Sequence, residues 1–231
     1  MSSEQPKAEL AKKAAAKRAA ELIESGMLVG LGTGSTAAFF ISFLAKRYRE
    51  GLNISCIATS TQSAEQAKKE GLPLYSIDDM QSIDITVDGA DEIDSQKRMI
   101  KGAGGALVRE KIIASSSREM IVIVDERKVV KQLGGIPLPV EIIPFAHKAT
   151  ISKLEALGYS GKLRMGLSGT VYTTDNNNYI YDIPLKSSHH SLEEMDFMIQ
   201  SIPGVVDTGF FFNLAGRVIV GYFDGQTKII P

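Results

Sequence analysis

The sequence predicts an α/β protein: a doubly wound, mostly parallel sheet with a smaller α+β domain inserted late in the chain. Three observations predict it. Up to Asp125, short apolar runs alternate with helical patterns, as strands joined by helical crossovers do. The first of these runs opens into the glycine turn Gly30-Leu-Gly-Thr-Gly-Ser-Thr36, and a helical pattern follows directly. After Pro137 the order of elements becomes β-α-β-β-α-β, a split pattern of its own.

In order, Ala8 to Ser25 reads as an alanine-rich helix with Leu10, Ala14 and Leu22 on one face and Gly26 as its stop. Met27 to Gly30 is a short strand. It runs through the glycine turn into a helix from Ala37 to Tyr48, whose apolar face holds Phe39, Phe40, Phe43 and Leu44. Strand, glycine turn with hydroxyls, helix is the build of an anion site, because exposed N–H groups and the helix dipole favour a phosphate. A dinucleotide loop would need glycine at position 35, where Ser35 stands, and an acid after the next strand, which instead runs into Thr59-Ser60-Thr61. The Walker lysine is missing as well. A compact phosphate held by the amides and by Thr33, Ser35 and Thr36 fits better; a tight turn capped by Ser35 or Thr36 is the plainer reading, and the two are compatible.

A strand at Asn53 to Ala58, a helix at Thr61 to Glu70, a short strand near Leu74 and a strand at Ile83 to Val87 come next. Ala106 to Ala114 is helical, and Met120 to Val124 is a strand ending at Asp125. In the later domain the strands are Val140 to Ile143, Lys162 to Met165, Tyr179 to Ile183 and Val205 to Phe212. Its helices run from Thr150 to Leu157 and from Ser191 to Ser201, with Ser191 and Glu194 forming a capping box. Arg217 to Phe223 returns to the first sheet. The expected organisation is a Rossmann-like catalytic domain, residues 1–136 and 213–231, with an inserted ferredoxin-like domain, residues 137–212.

Composition narrows the function. With 44% apolar and 23% charged residues the chain is globular, and 231 residues bury a substantial core. A formal charge of -1 offers no polyanion-binding surface, so no nucleic-acid partner is expected. The single cysteine, Cys56, sits in an apparent strand and forms no disulfide within the chain. His147, His189 and His190 lie in loop-like positions without zinc spacing, so no metal is expected. The N-terminus has no signal-peptide core, its lysines are interleaved with glutamates, and no apolar run approaches a membrane span. The expected location is the cytoplasm.

The chemistry concentrates between Val87 and Glu110. A strand ends in Asp88-Gly89-Ala90-Asp91-Glu92; Lys101 then opens the cluster Gly102-Ala103-Gly104-Gly105; Glu110 follows on a helix. Acids, a lysine, a glycine loop and a further acid supply proton-transfer groups of both signs at the strand ends where α/β enzymes keep their sites. Each residue alone has a plainer reading as turn or solvated charge. Lys128, just beyond Asp125, is a further candidate for the same strand-end site.

With both glycine stretches in view the chain resembles the A-type ribose-5-phosphate isomerases. The resemblance is carried by Gly30-Leu-Gly-Thr-Gly-Ser-Thr-Ala-Ala38, Val87-Asp-Gly-Ala-Asp-Glu-Ile93, Lys101-Gly-Ala-Gly-Gly-Ala-Leu107 with Arg109-Glu-Lys-Ile-Ile-Ala114, and Pro137-Leu-Pro-Val-Glu-Ile-Ile-Pro144. One departure is Ala103, where many members have a third glycine. The resemblance implies interconversion of ribose 5-phosphate and ribulose 5-phosphate in the non-oxidative pentose phosphate pathway, with a sugar phosphate as partner and neither metal nor organic cofactor. It implies Glu110 as base and a substrate site lined by Thr33, Gly34, Ser35, Thr36, Asp88, Gly89, Ala90, Asp91, Lys101, Gly102, Ala103, Gly104 and Lys128. Lys12 on the first helix is a candidate for the phosphate from the same pattern, against a plain reading as a solvated charge.

The chemistry asks for such residues: aldose–ketose isomerisation needs one base that reaches two carbons and donors beside a developing oxyanion. Asp88 or Asp91 would handle hydroxyl protons. A phosphate-binding regulator or lactonase-like relative needs no base beside a lysine, and a CoA transferase needs a nucleotide-sized loop. A homodimer or homotetramer is expected, with Phe210, Phe211 and Phe212 as interface candidates against the commoner fate of core burial.

Overall fold

The computed structural model describes residues 4–76, 78, 82–185 and 190–231; His189 lies outside them. The chain forms two compact units: Met1–Ala90 with Arg109–Val130 and Asn213–Pro231, and Asp91–Val108 with Lys131–Phe212. The later boundary falls at the expected position. The earlier one falls at 130/131 rather than 136/137, and residues 91–108 belong to the second unit.

The first unit holds a sheet of β1 (Leu28–Leu31), β2 (Ser55–Ala58), β3 (Ile83–Asp88), β6 (Ser117–Asp125), β12 (Ala215–Gly221) and β13 (Thr227–Ile230). Their order is β13-β12-β6-β3-β1-β2. All pairs are parallel except β12 with β13, a final antiparallel strand that the sequence did not lead one to expect. From β1 the chain goes to β2 on one side and returns to β3 on the other. That reversal opens a crevice at the carboxyl ends of β1 and β3, where doubly wound sheets bind ligands.

Helices α1 (Glu4–Glu21), α2 (Ser35–Arg49) and α3 (Thr61–Lys69) follow the expected order. The buried stripe of α1 differs from expectation. It is made of Ala8, Ala11, Ala15, Ala16, Ala19, Ala20 and Ile23, whereas Leu10 is 47% exposed. Alanines win because the helix backbone comes down on a strand: a side chain on Gly221 of β12 would collide with the Ala11 carbonyl. The helix ends at Glu21, short of Gly26, and Arg47 of α2 donates to the carbonyls of Ala20 in its last turn and of Ile23 just beyond it. Cys56 is fully buried, and burial pushes its thiol up to about 12, so it is an inert core residue.

The second unit carries β7 (Leu138–Ile142), α5 (His147–Ala156), β8 (Lys162–Leu163), β9 (Tyr179–Ile183), α6 (Leu192–Gln200) and β10 (Val205–Thr208). The sheet order β10-β7-β9-β8, antiparallel throughout, is the ferredoxin-like arrangement. Ser191 and Glu194 form the expected capping box, each side chain accepting the other's backbone N–H. A second small sheet, order β11-β5-β4, joins β4 (Glu92–Ile93), β5 (Met99–Ile100) and β11 (Phe210–Phe211). These two-residue strands are too short for any periodicity.

The strand expected from Val205 to Phe212 is therefore two strands. It breaks at Gly209, whose N–H donates to Pro139 O (2.7 Å) and whose carbonyl accepts Lys101 N–H (2.9 Å). A side chain at Gly209 would strike the Lys101 carbonyl. The chain thus leaves β7 and pairs with β5, which ties residues 91–108 into the second unit. Phe210 and Phe211 are core residues, 1% and 0% exposed, and Phe212 stacks on Phe210 at 5.1 Å.

Candidate active site

In the first unit the site begins where β1 ends. A side chain on Gly32 would collide with the Asp88 carboxylate, so the glycine is what allows the end of β3 to stand against the turn. Asp88 is fully buried, and its Oδ1 accepts N–H from Thr33 (3.0 Å) and Gly89 (2.7 Å), which fixes the carboxylate's orientation. The Thr33 hydroxyl turns inward: it donates to Ser60 Oγ (2.8 Å) and lies 2.7 Å from Thr59 Oγ1, while Ser63 Oγ donates to Gly32 O (2.6 Å). Thr33 holds the turn and Asp88 in place; neither its N–H nor its hydroxyl is directed at a ligand.

The N-cap of α2 is Gly34 at φ 101°, with no side-chain cap, so neither Ser35 nor Thr36 caps the turn. An uncapped helix start presents its first N–H groups and the positive end of the dipole. Ser35 is exposed, and its Oγ accepts a hydrogen bond from Lys12 Nζ at 2.9 Å. Lys12 reaches it because the alanine stripe seats α1 deep on the sheet. A cation, a hydroxyl and uncapped amides are groups of the kind that suit an anion.

At the end of β6, Asp125 caps the short 3-10 turn Glu126–Lys128 and pairs with Arg127 (2.8 Å). Burial pushes its carboxyl up, but Arg127, with a smaller contribution from Lys12, outweighs that and holds it below the ordinary carboxylate range. Lys128 on that turn is half-buried at the carboxyl edge of the sheet. Glu110 lies in the first turn of α4 (Leu107–Ser115) and is 4% exposed. One turn on, Ile113 packs so close to β1 that a side chain on Gly30 would collide with it. A buried carboxylate at a helix start is favoured by the dipole and is out of the reach of bulk water.

In the second unit, Asp91 receives the Ala103 N–H on Oδ2 (2.9 Å), and its own N–H donates to Ile100 O (2.9 Å). Lys101 follows β5 directly and is 2% exposed, with its Nζ 5.5 Å from the centre of the Phe211 ring. Residues 102–105 form a tight loop with Gly102 and Gly105 at φ 103° and 78°, closed by Gly105 N–H to Gly102 O (2.9 Å). Ala103 is exposed and has no positive φ, so the departure from a third glycine strains nothing.

Each unit thus gathers its own share of the expected residues: Thr33 to Thr36, Asp88 to Ala90, Glu110 and Lys128 in the first, Asp91 and Lys101 to Gly104 in the second. The bracing hydroxyls of Thr59, Ser60 and Ser63, and the side chains of Arg164 and Tyr172 against the 102–105 loop, were not read from the sequence. The run Thr59-Ser60 carried the signal, as polar residues where a strand meets a phosphate-type turn; Arg164 and Tyr172 carried none. Among the described residues no cluster of three or more His, Cys, Asp or Glu could hold a metal, and no helix is long and apolar enough to cross a membrane.

Comparison with known proteins shows the family. Residues 55–225 match the family described as Ribose 5-phosphate isomerase A (phosphoriboisomerase A). A ribose-5-phosphate isomerase A of Protochlamydia amoebophila (strain UWE25) is 50% identical over 220 residues, 95% of each chain. A solved D-ribose-5-phosphate isomerase in complex with phospho-erythronic acid is 39% identical with a TM-score of 0.90, covering 100% of this chain and 99% of that one. The Plasmodium falciparum enzyme is 36% identical with a TM-score of 0.92, covering 96% and 98%. With a family match over residues 55–225 and relatives up to 50% identical over nearly the whole chain, this chain belongs to the ribose-5-phosphate isomerase A family, the isomerases that interconvert ribose 5-phosphate and ribulose 5-phosphate.

Proposed function

We propose that in this chain the interconversion runs through an enediolate with Glu110 as the one base, taking the proton from C2 and returning it to C1. The buried carboxylate of Glu110 at the start of α4 carries this reading, because a binding module has no use for it. Lys101 and the Gly104 amide stabilise the developing oxyanion. Asp88, held by two amides, handles the hydroxyl protons, and Asp91 shapes the loop through Ala103. Lys12, Ser35, Thr36 and the first amides of α2 hold the phosphate, with Gly34 giving the turn its shape and Lys128 adding positive charge. Gly89 and Ala90 continue the lining after β3. The relative's complex supports the enediolate: phospho-erythronic acid pairs a phosphate with a carboxylate, a planar anion like an enediolate.

The test is an isomerase assay on ribose 5-phosphate with EDTA present, with Glu110→Gln beside the wild type. The variant should lose about three or more orders of magnitude in kcat with KM within a few-fold, as removal of a base does. Near-normal turnover in the variant would overturn the assignment.

A homodimer or homotetramer in the cytoplasm completes the proposal. Phe145, Phe197 and Leu167, exposed apolar side chains of the second unit, support the oligomer, which sedimentation velocity would resolve. The substrate supports the location, since a sugar phosphate does not cross a bilayer unaided.

A further inference from the structure

The 101–105 loop is short, glycine-rich and partly exposed, a combination that by itself gives a mobile backbone. In this chain three successive carbonyl oxygens of the loop are taken by two side chains more than fifty residues away. Arg164 Nη1 donates to Gly102 O and to Ala103 O, each at 3.0 Å. The Tyr172 hydroxyl donates to Gly104 O at 3.1 Å, and a side chain on Gly105 would collide with the Tyr172 ring.

Both side chains are themselves fixed. Arg164 spends Nε and Nη2 on the two oxygens of Asp182, a bidentate fork that leaves Nη1 for the loop. Its guanidinium lies 5.8 Å from the Tyr172 ring centre. The two residues face each other across a hairpin, Tyr172 N–H donating to Arg164 O (2.9 Å), with Met165 bridged to Val171. The hairpin's far end is anchored by the fully buried Glu141, whose Oε1 accepts from Thr174 Oγ1 (3.1 Å), Asn176 Nδ2 (3.1 Å) and Asn178 Nδ2 (2.8 Å). Burial pushes the Tyr172 phenol up, against the opposing pull of Arg164, so it remains a donor at neutral pH.

In a trans peptide the C=O and the following N–H point in opposite directions, so pinning an oxygen aims a hydrogen. Pinning the oxygens of 102, 103 and 104 aims the N–H groups of 103, 104 and 105. Asp91 takes the first of these and Gly102 O the third. The Gly104 N–H, set by the Arg164–Ala103 contact, has no acceptor among the described residues.

We propose that Arg164 and Tyr172 are positioning residues for the isomerisation, clamping the carbonyl edge of the 102–104 loop so that its amide edge, Gly104 N–H foremost, stands preorganised for the enediolate oxygen. The proposal rests on the reading that Lys101 and this loop line the substrate site. Such donors act by being fixed before charge develops, so a slack loop weakens the transition state far more than the ground state.

The test uses the full chain with Tyr172→Phe, Arg164→Lys and Lys101→Ala, each checked for wild-type circular dichroism. Readouts are kcat and KM for ribose 5-phosphate and the inhibition constant of phospho-erythronic acid. Tyr172→Phe removes one hydrogen bond and should lower kcat about 10-fold; Arg164→Lys, which loses the fork, should lower it about 100-fold. KM should stay within about 2-fold, and the inhibition constant should rise with the fall in kcat, a pattern that general loosening of the fold does not give. Should Arg164→Lys fail to fold, Tyr172→Phe decides. Wild-type kcat in folded Tyr172→Phe, or a change in KM alone, overturns the clamp. If Lys101→Ala is inactive at the same time, the loop reading stands and only the clamp falls; if Lys101→Ala keeps wild-type kcat, the loop reading fails and the clamp with it.

Discussion

The glycine turn at residues 30–36 and the glycine loop at residues 101–105 are both bends that present backbone donors, but different parts of the chain hold them. The first sits between a strand and the helix that follows, and its braces come from the ends of the neighbouring strands: Asp88 closing β3, Thr59 and Ser60 after β2. The second has no regular element leading it beyond a two-residue strand. Its braces come from Gly209, Arg164 and Tyr172, far away in sequence. A turn built into a parallel sheet inherits its shape from the sheet. A loop outside one must be shaped by side chains that arrive late in the chain.

The largest effect that sharpens this contrast is expected at Gly32. Gly32→Ala drives a methyl into the Asp88 carboxylate, and the sheet on both sides leaves it nowhere to go. Overpacking of this kind costs about 1–3 kcal/mol, and displacement of Asp88 should add a fall in kcat/KM of about 100-fold or more. Thermal unfolding and steady-state kinetics read the two parts separately. A fully active, equally stable Gly32→Ala would break the claim that the sheet sets this turn.

Next is Lys12, which the packing of α1 places at the start of α2. Lys12→Ala should raise KM for ribose 5-phosphate about 10-fold or more with kcat little changed, because a remote phosphate grip is shared by ground and transition states. A variant that loses kcat at constant KM would move Lys12 from phosphate holding into the chemistry.

The smallest effect is expected at Ala103→Gly, which restores the third glycine to the second loop. The residue is exposed at an ordinary φ and its neighbours' carbonyls are already held, so kcat/KM should change by no more than about 2-fold. A larger fall would show that the loop relies on its own stiffness as well as on the clamp.

The same contrast explains what could be read in advance. The doubly wound, mostly parallel class, the glycine turn before α2 and the placing of Asp88 at a strand end and Glu110 on a helix follow from local patterns: apolar runs, a glycine turn, an acid at a strand end. The helix-face reading of α1 failed because hydrophobicity alone favours leucine, whereas close approach to Gly221 requires alanine. The stretch 205–212 is two strands rather than one because strand-favouring Val, Thr and Phe lie on both sides of Gly209 while the hydrogen-bonding partner changes there.

By itself, then, the sequence determined the two architectures and the order of their main elements, because each of these is encoded within a few residues of its neighbours. Only the tertiary structure decided that the lysine and glycine loop belong to the second unit, that Thr33 works inward, that Lys12 stands at Ser35, and that Arg164 and Tyr172 shape the loop. The physical reason is range. Periodicity and turn chemistry act over a single turn or strand, while a hydrogen bond between residues sixty positions apart leaves no mark in the pattern of either segment.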